Sequence, residues 1–300
     1  MRDFFSYESE WSAKVHSEYF DGDDKFLSLK AIYDGWAERT QAPNIEGFFK
    51  MVEFRDNIGK DFVDPRSGYV IKSGTLKGWL EWYITAYVRN SVARRRNPPR
   101  HYQEFARVLS PRWHTIITFN YDLVFEQAII AEHGSVDYRL GRFDKLHSSG
   151  IPFLKLHGSL NWLWCPECDR WEIYDEPVGH KYNRVSCTKK CGGYKERLIV
   201  PPNPSKGEYL GVLYALWKKA DKSLSTADRI VIVGYSLPEI DISARELLVD
   251  SVKKVAGFEI VVNNREALSD VAKRLGRDSD TQVPRTFKDY VTALSSRNRF

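Results

Sequence analysis

Apolar residues recur at three-to-four spacing over Lys25 to Arg39, over Ile45 to Arg55 and over the longer span Leu76 to Arg94. That period predicts helices, so residues 1–110 read as a helical region with no strand pattern between its elements. Pro43-Asn44 marks a helix start with Asn44 as its cap, and Pro98-Pro99 ends the long helix, because proline cannot continue one. Past Pro111 the texture changes. Thr115 to Phe119 is a β-branched run that ends in the polar Asn120-Tyr121-Asp122 and is followed by an amphipathic Leu123 to Glu132. Strand, polar loop and helix in that order are the unit of an α/β sheet. Further strands are expected at Phe153 to Leu156, at Arg197 to Pro202 returning to the sheet, at Arg229 to Gly234 and at Phe258 to Val262. Helices are expected at Glu208 to Asp221, Asp241 to Val255 and Arg265 to Leu275. The unbroken apolar run Ile230 to Val233 suits a strand buried on both faces, as in a parallel sheet. The reading is α/β: a doubly wound, mostly parallel sheet over 111–300 with an insert at 163–195, and the helical region 1–110 packed on it.

The chain has 300 residues, 42% of them hydrophobic and 28% charged, enough for one substantial core or two smaller ones. No apolar run approaches the roughly 20 residues of a membrane-spanning helix. The net charge of +5 is modest for this length, and the basic cluster Arg94-Arg95-Arg96 is short. It suits a solvated helix end better than the long basic stripe of a nucleic-acid face. Nine tryptophans, sixteen tyrosines and sixteen phenylalanines point to a core or an interface.

All four cysteines fall within 27 residues, as Cys165, Cys168, Cys187 and Cys191, spaced C-x2-C-x18-C-x3-C. Two close pairs of thiolates supply tetrahedral zinc, and a site filled by four protein ligands holds structure rather than doing chemistry. Two disulfides and four unrelated thiols are the weaker alternatives. The chain opens without a cationic stretch followed by an apolar one, so cytoplasmic location is expected.

Chemistry is expected where parallel strands end, since ligands of open α/β sheets bind beyond the carboxyl ends. Four such ends are polar: Asn120 with Asp122, His157 with Ser159, Gly234 with Tyr235 and Ser236, and Asn263 with Asn264. A crevice shared by all four is the expectation. His157 suits a general base or a turn-capping residue. Asn120 can orient a water or hold a sugar hydroxyl, Asp122 can do similar work or cap the next helix, and Ser236 can meet a phosphate or only form a turn.

In order, ITFNYD (117–122), KLHGS (155–159), the four cysteines, VGYS (233–236) and VVNN (261–264) resemble the signature of the sirtuins. The resemblance spans about Thr115 to Asn264. The SLNW and LPEID extensions resemble divergent bacterial sirtuin-like domains more than protein deacetylases. It implies a Rossmann-like sheet that binds NAD as substrate, with a zinc module inserted between strands. It implies that Asn120 positions the attacking water and nicotinamide ribose, that Asp122 shares that pocket, and that His157 is the base. Thr118, Ser159, Gly234, Tyr235, Ser236 and Asn263 would form the cofactor-binding set. The implied activity is NAD hydrolysis with nicotinamide release, as in bacterial anti-phage defence. A protein deacylase and an inactive NAD- or ADP-ribose-binding scaffold are the alternatives. Self-assembly or a defence-system partner protein is the implied association.

Family members open with a strand and a glycine-rich turn close to GAGxS, where backbone amides meet the pyrophosphate. The present sequence goes from Met1-Arg2-Asp3-Phe4-Phe5 into helical pattern. A start placed too late, a segment supplied by another polypeptide and a degenerate domain are three open accounts.

Overall fold

The computed structural model describes residues 24–41, 43, 45–93, 98–140, 150–178, 185–187, 191–199, 207–238, 241–279 and 282–297. The expectations for Met1 to Phe5, the Asn44 cap, the cluster Arg94 to Arg96 and the strand end at 200–202 lie outside them. The chain divides into two compact units, Met1–Arg94 with Pro177–Arg184, and Arg95–Glu176 with Val185–Phe300.

In the first unit, α1 (Asp24–Ala37), α2 (Ile45–Asn57), a two-stranded antiparallel hairpin β1 (Phe62–Val63) and β2 (Val70–Ile71), and α3 (Ser73–Ala93) follow one another. The three helices stand where the apolar period put them. The hairpin corrects the expectation that no strand interrupts this region. With only two residues per strand, it is too short for alternation to register as a pattern. Phe26 and Leu29 of α1, Phe48 and Val52 of α2, and Leu76 and Leu80 of α3 close a core, each fully buried. Asp64 pins the hairpin to α1. It accepts hydrogen bonds from Ser28 Oγ at 2.7 Å and Ser67 Oγ at 2.9 Å, and from the Arg66 amide at 2.9 Å.

The second unit opens with α4 (Arg100–Val108), a helix the sequence reading passed over because the proline pair drew the boundary there. It continues through β3 (Ile116–Thr118), α5 (Val124–His133), β4 (Val136–Asp137) and β5 (Ile151–Lys155), then β6 (Gly158–Cys165), β7 (Arg170–Ile173), β8 (Val185–Ser186) and β9 (Tyr194–Ile199). It ends with α6 (Gly207–Ser225), β10 (Arg229–Val233), α7 (Ile242–Lys254), β11 (Gly257–Val261), α8 (Arg265–Arg274) and α9 (Phe287–Arg297). The fold is α/β. Parallel strands form two groups, β3-β5-β4 and β10-β11, in which Thr118 stands opposite Lys155 and Val233 opposite Val261. Among the described residues no strand hydrogen-bonds the first group to the second.

One expectation is corrected. β9 does not return to the parallel sheet. It pairs antiparallel with β6 in a separate sheet of order β7-β6-β9-β8. Only Lys195 and Leu198 of its six residues are buried, and antiparallel pairing tolerates a strand this open to water. Two cores lie under the parallel groups. Ile129, Phe153, Leu156 and Trp162 anchor one, and Ile230, Ile260, Val252 and Leu268 anchor the other, with Ile117 of β3 reaching both. Among the described residues, no helix is long and apolar enough to cross a membrane.

Candidate functional site

His157 occupies the turn between β5 and β6 and is 3% exposed. Its Nε2 lies 3.2 Å from Oδ2 of Asp241, itself 1% exposed. Asp241 also accepts a hydrogen bond at Oδ2 from the Tyr235 hydroxyl at 2.8 Å and caps α7 by accepting the Ala244 amide. The carboxylate is therefore held from two sides and fixes the imidazole, while any positive charge gained by the ring would be stabilised against it. Phe119 packs over His157 with ring centres 5.1 Å apart and stacks on Tyr235 at 4.5 Å. Trp217 of α6 stands on another side at 6.4 Å and donates its indole N–H to the Leu156 carbonyl at 3.2 Å. The carboxyl ends of β3, β5 and β10 thus meet around one imidazole.

Gly158 makes that turn possible. Its φ is +86°, and a side chain there would collide with the Leu198 carbonyl oxygen of β9. Only glycine accepts both conditions at low cost.

The β3 end is tied to the same turn. The Leu156 amide donates to the Thr118 carbonyl and the Leu160 amide to the Tyr121 carbonyl, both at 3.0 Å. Thr118 Oγ1 accepts the Asn120 amide at 3.1 Å, and Asn120 itself is exposed at the mouth of the strand end. Asp122 Oδ1 accepts the Val124 amide at 3.0 Å, an Asx-type turn that leads into α5, whose N-cap position is Leu123. Ser159 is 1% exposed and donates to Asn161 Oδ1 at 2.6 Å, inside the β6 packing.

A cavity of about 730 Å³ opens at the carboxyl ends of β10 and β11. Gly234, Ser236 and Asn263 line it, as do Asp270 and Arg274 of α8 and Phe287 at the start of α9. Asn120, Asp122, His157, Ser159 and Tyr235 are not among its lining residues. The polar strand ends therefore form two centres, one around His157 and one around the cavity. They meet at the turn after β10, where Tyr235 reaches Asp241, the partner of His157, and Ser236 lines the cavity. Gly234 at φ +61° and Leu237 at φ +48° bend the turn, and left-handed backbone at a non-glycine residue marks a constrained site. Asn264 caps α8 through its Oδ1, 2.8 Å from the Ala267 amide, and leaves Asn263 as the member of the pair that reaches the cavity.

Beneath the β3 end, Lys155 and Glu126 form a wholly buried pair, with Lys155 Nζ 2.9 and 2.8 Å from the two carboxylate oxygens. Burial pushes the Glu126 carboxyl above the ordinary carboxylate range, with the Lys155 ammonium pulling against it.

Sequence reasoning missed Asp241, Trp217, the Lys155–Glu126 pair and the cavity wall from α8 and α9. The sequence marks Asp241 only as a helix start, and a capping pattern carries no sign that the second carboxylate oxygen faces a distant histidine.

The four thiols converge at one end of the antiparallel sheet. All four sulfurs lie within 4.8 Å of one another, with Cys165 to Cys191 and Cys168 to Cys187 each 3.6 Å apart. These separations are far beyond a disulfide bond and close to the roughly 3.8 Å edge of a tetrahedron with metal–sulfur bonds of about 2.3 Å. A side chain at Gly193 would press on Glu167 and on the Cys165 sulfur, so the knuckle needs that glycine to close. Desolvation and the neighbouring sulfurs push the Cys168 thiol up to about 12, so the bare cluster favours protons unless a cation replaces them.

Residues 114–257 match the family model described as a SIR2-like domain. No curated protein matches the chain. Among solved structures, one described under the mechanism and regulation of Sir2 enzymes is 19% identical, covering 73% of this chain and 77% of that one, with a TM-score of 0.44. A Sir2 bound to acetylated peptide is 12% identical over 74% and 81% of the two chains at TM-score 0.44. A Sir2 homologue in complex with ADP-ribose is 16% identical over 72% and 74% at TM-score 0.42.

Proposed function

We propose that this chain, which carries a SIR2-like domain over residues 114–257, cleaves NAD at the nicotinamide bond with water as the acceptor. The observation that carries the reading is the buried His157–Asp241 couple beside a cavity lined by Gly234, Ser236 and Asn263. In this reading the cavity takes the adenosine diphosphate part of NAD, and the nicotinamide ribose lies toward Asn120 and His157. The bond between ribose C1′ and the pyridinium nitrogen breaks, and its electron pair leaves with nicotinamide. Water oxygen bonds to C1′, and the proton it loses passes to the His157 imidazole. Asp241 stabilises the imidazolium while the proton is held, the role a buried carboxylate performs for a catalytic histidine. Asn120 orients the water or the ribose hydroxyl. The products are nicotinamide, ADP-ribose and a proton.

The four cysteines hold zinc in this reading, closing the antiparallel sheet as a structural ligand set. Water as acceptor aligns the chain with the divergent bacterial relatives that destroy NAD, for which the resemblance implies a role in defence.

Nicotinamide release from NAD by the purified chain tests the proposal, with His157→Ala and Asn120→Ala beside it. Release lost in both variants supports it. Release that requires an acyl-lysine peptide replaces hydrolysis by deacylation, and binding of NAD without product replaces it by a sensing role.

A further inference from the structure

Burying an ammonium and a carboxylate together is a costly way to fill a core, since apolar residues of the same volume are often equally or more stabilising. Lys155 and Glu126 are 0% and 2% exposed at their side chains, and neither belongs to the chemistry above. What distinguishes the pair is the other company of the ammonium. Lys155 Nζ donates to the Asp122 carbonyl at 2.5 Å and approaches the Tyr121 carbonyl at 3.4 Å, besides meeting both Glu126 oxygens. Glu126 in turn stands in the first turn of α5 and accepts the Tyr138 hydroxyl at 2.9 Å. The backbone just after Asn120 therefore turns its carbonyls inward onto one buried cation. Without the cation the Asp122 carbonyl would lose this partner in the interior, while the Tyr121 carbonyl would keep the Leu160 amide. Lys155 is also two residues before His157 on the same strand end, so one side chain references both the Asn120 loop and the His157 turn.

We propose that Lys155 and Glu126 form a buried strut that fixes the 120–122 loop and so sets Asn120 against His157, as positioning residues for the NAD cleavage proposed above, on which this inference rests. A strut of this kind matters to the rate more than to binding, because a displacement of about 1 Å at a reacting group can cost about 100-fold.

The test is the double variant Lys155→Met with Glu126→Leu, which removes both charges and keeps the volume, compared with wild type for melting temperature, kcat and KM for NAD. The strut predicts a folded protein with kcat lowered about 10- to 100-fold and KM within about threefold. A folded double variant with wild-type kcat overturns it. Should the double variant not fold, Glu126→Gln decides: it keeps the shape while weakening the hold on Lys155, and kcat lowered at an unchanged melting temperature supports the strut, whereas unchanged kcat overturns it. Wild type that releases no nicotinamide would sink the NAD reading instead. The strut is then judged by hydrogen exchange at the amides of 119–123: about tenfold faster exchange in Glu126→Gln supports it and unchanged protection overturns it.

Discussion

His157 Nε2 and Asp241 Oδ2 lie 3.2 Å apart, with both side chains almost wholly removed from solvent, and the same aspartate begins α7. One residue thus couples the start of a helix after β10 to a histidine that follows β5. A carboxylate so placed decides which ring nitrogen carries the proton and favours the imidazolium as it forms.

Replacing Asp241 with Asn removes the charge: with its oxygen in the Oδ1 place it still accepts the Ala244 amide, while its NH2 takes the Oδ2 place and turns a donor toward the Tyr235 hydroxyl oxygen and His157. The expected outcome is a fall in nicotinamide release of about 100- to 10,000-fold, in the range of general-base catalysis and of lost imidazole orientation. The melting temperature should move little. Asp241→Ala should add a lost cap, worth about 1 kcal/mol. Steady-state kinetics beside thermal unfolding separates the two effects, and an Asn variant with wild-type turnover would remove Asp241 from the mechanism.

Gly158 is the second point where one atom decides the geometry. Gly158→Ala would carry a methyl group into the Leu198 carbonyl at a left-handed φ. The strained backbone alone costs about 1–3 kcal/mol. The β6–β9 pairing, which brings Gly158 opposite Ile199, should open at that end. Denaturant unfolding should show a loss of about 2 kcal/mol or more, and His157 should lose its packing against Phe119. A variant as stable as wild type would mean that the turn relaxes without cost.

How much of this could be read from residues alone follows from the range of each signal. The helices of residues 24–93 carry long apolar periods and the strands ending at Thr118, Lys155, Val233 and Val261 carry short apolar or β-branched runs, and each stands where that pattern predicts it. The β1–β2 hairpin is too short to have a period, and α4 hid behind a proline pair. The thiol cluster was legible because ligand spacing is itself the geometric requirement. The division of the polar strand ends into two centres was not legible. Tyr235 and Ser236 are adjacent in sequence, yet Tyr235 turns to Asp241 while Ser236 turns to the cavity, and the backbone twist that separates them depends on the positive φ at Gly234 and Leu237. Lys155 lies within KLHGS, but its burial against Glu126 is a tertiary fact that no local pattern announces.

In the first unit, Asp64 gives a pH signature. Burial pushes its carboxyl upward, but hydrogen bonds from Ser28, the Arg66 amide and Ser67 together outweigh that and hold it below the ordinary carboxylate value. A lowered folded-state value means the contribution is present above the unfolded pKa of about 3.9 and is lost as pH falls through the lower folded one. Asp64→Asn should therefore be less stable than wild type near neutral pH by about 1.5–3 kcal/mol, the worth of a charged hydrogen bond. The gap should close as pH falls below about 4. Urea unfolding at pH 7 and at pH 3.5 compares the two, and a gap that widens in acid would contradict the assignment.

The thiol cluster carries the last prediction. Four sulfurs within 4.8 Å of one another, two pairs of them 3.6 Å apart, repel one another as anions, and Cys168 is pushed up to about 12 in their company. A bound dication reverses that balance by replacing protons, so loading should release protons and weaken as pH falls. Metal analysis of the purified chain should find about one zinc per chain, from the four-thiolate ligand count. A strong chelator should lower the melting temperature by several degrees, because 1 kcal/mol corresponds to about 2–4 °C for a chain of this size. Cys168→Ser should behave like the chelated protein at once, while Cys165→Ser should do worse, since Cys165 is fully buried and also packs against Gly193. A purified chain that carries no zinc and is indifferent to chelation would leave the four thiols as a reduced cluster held by the antiparallel sheet and its turns alone.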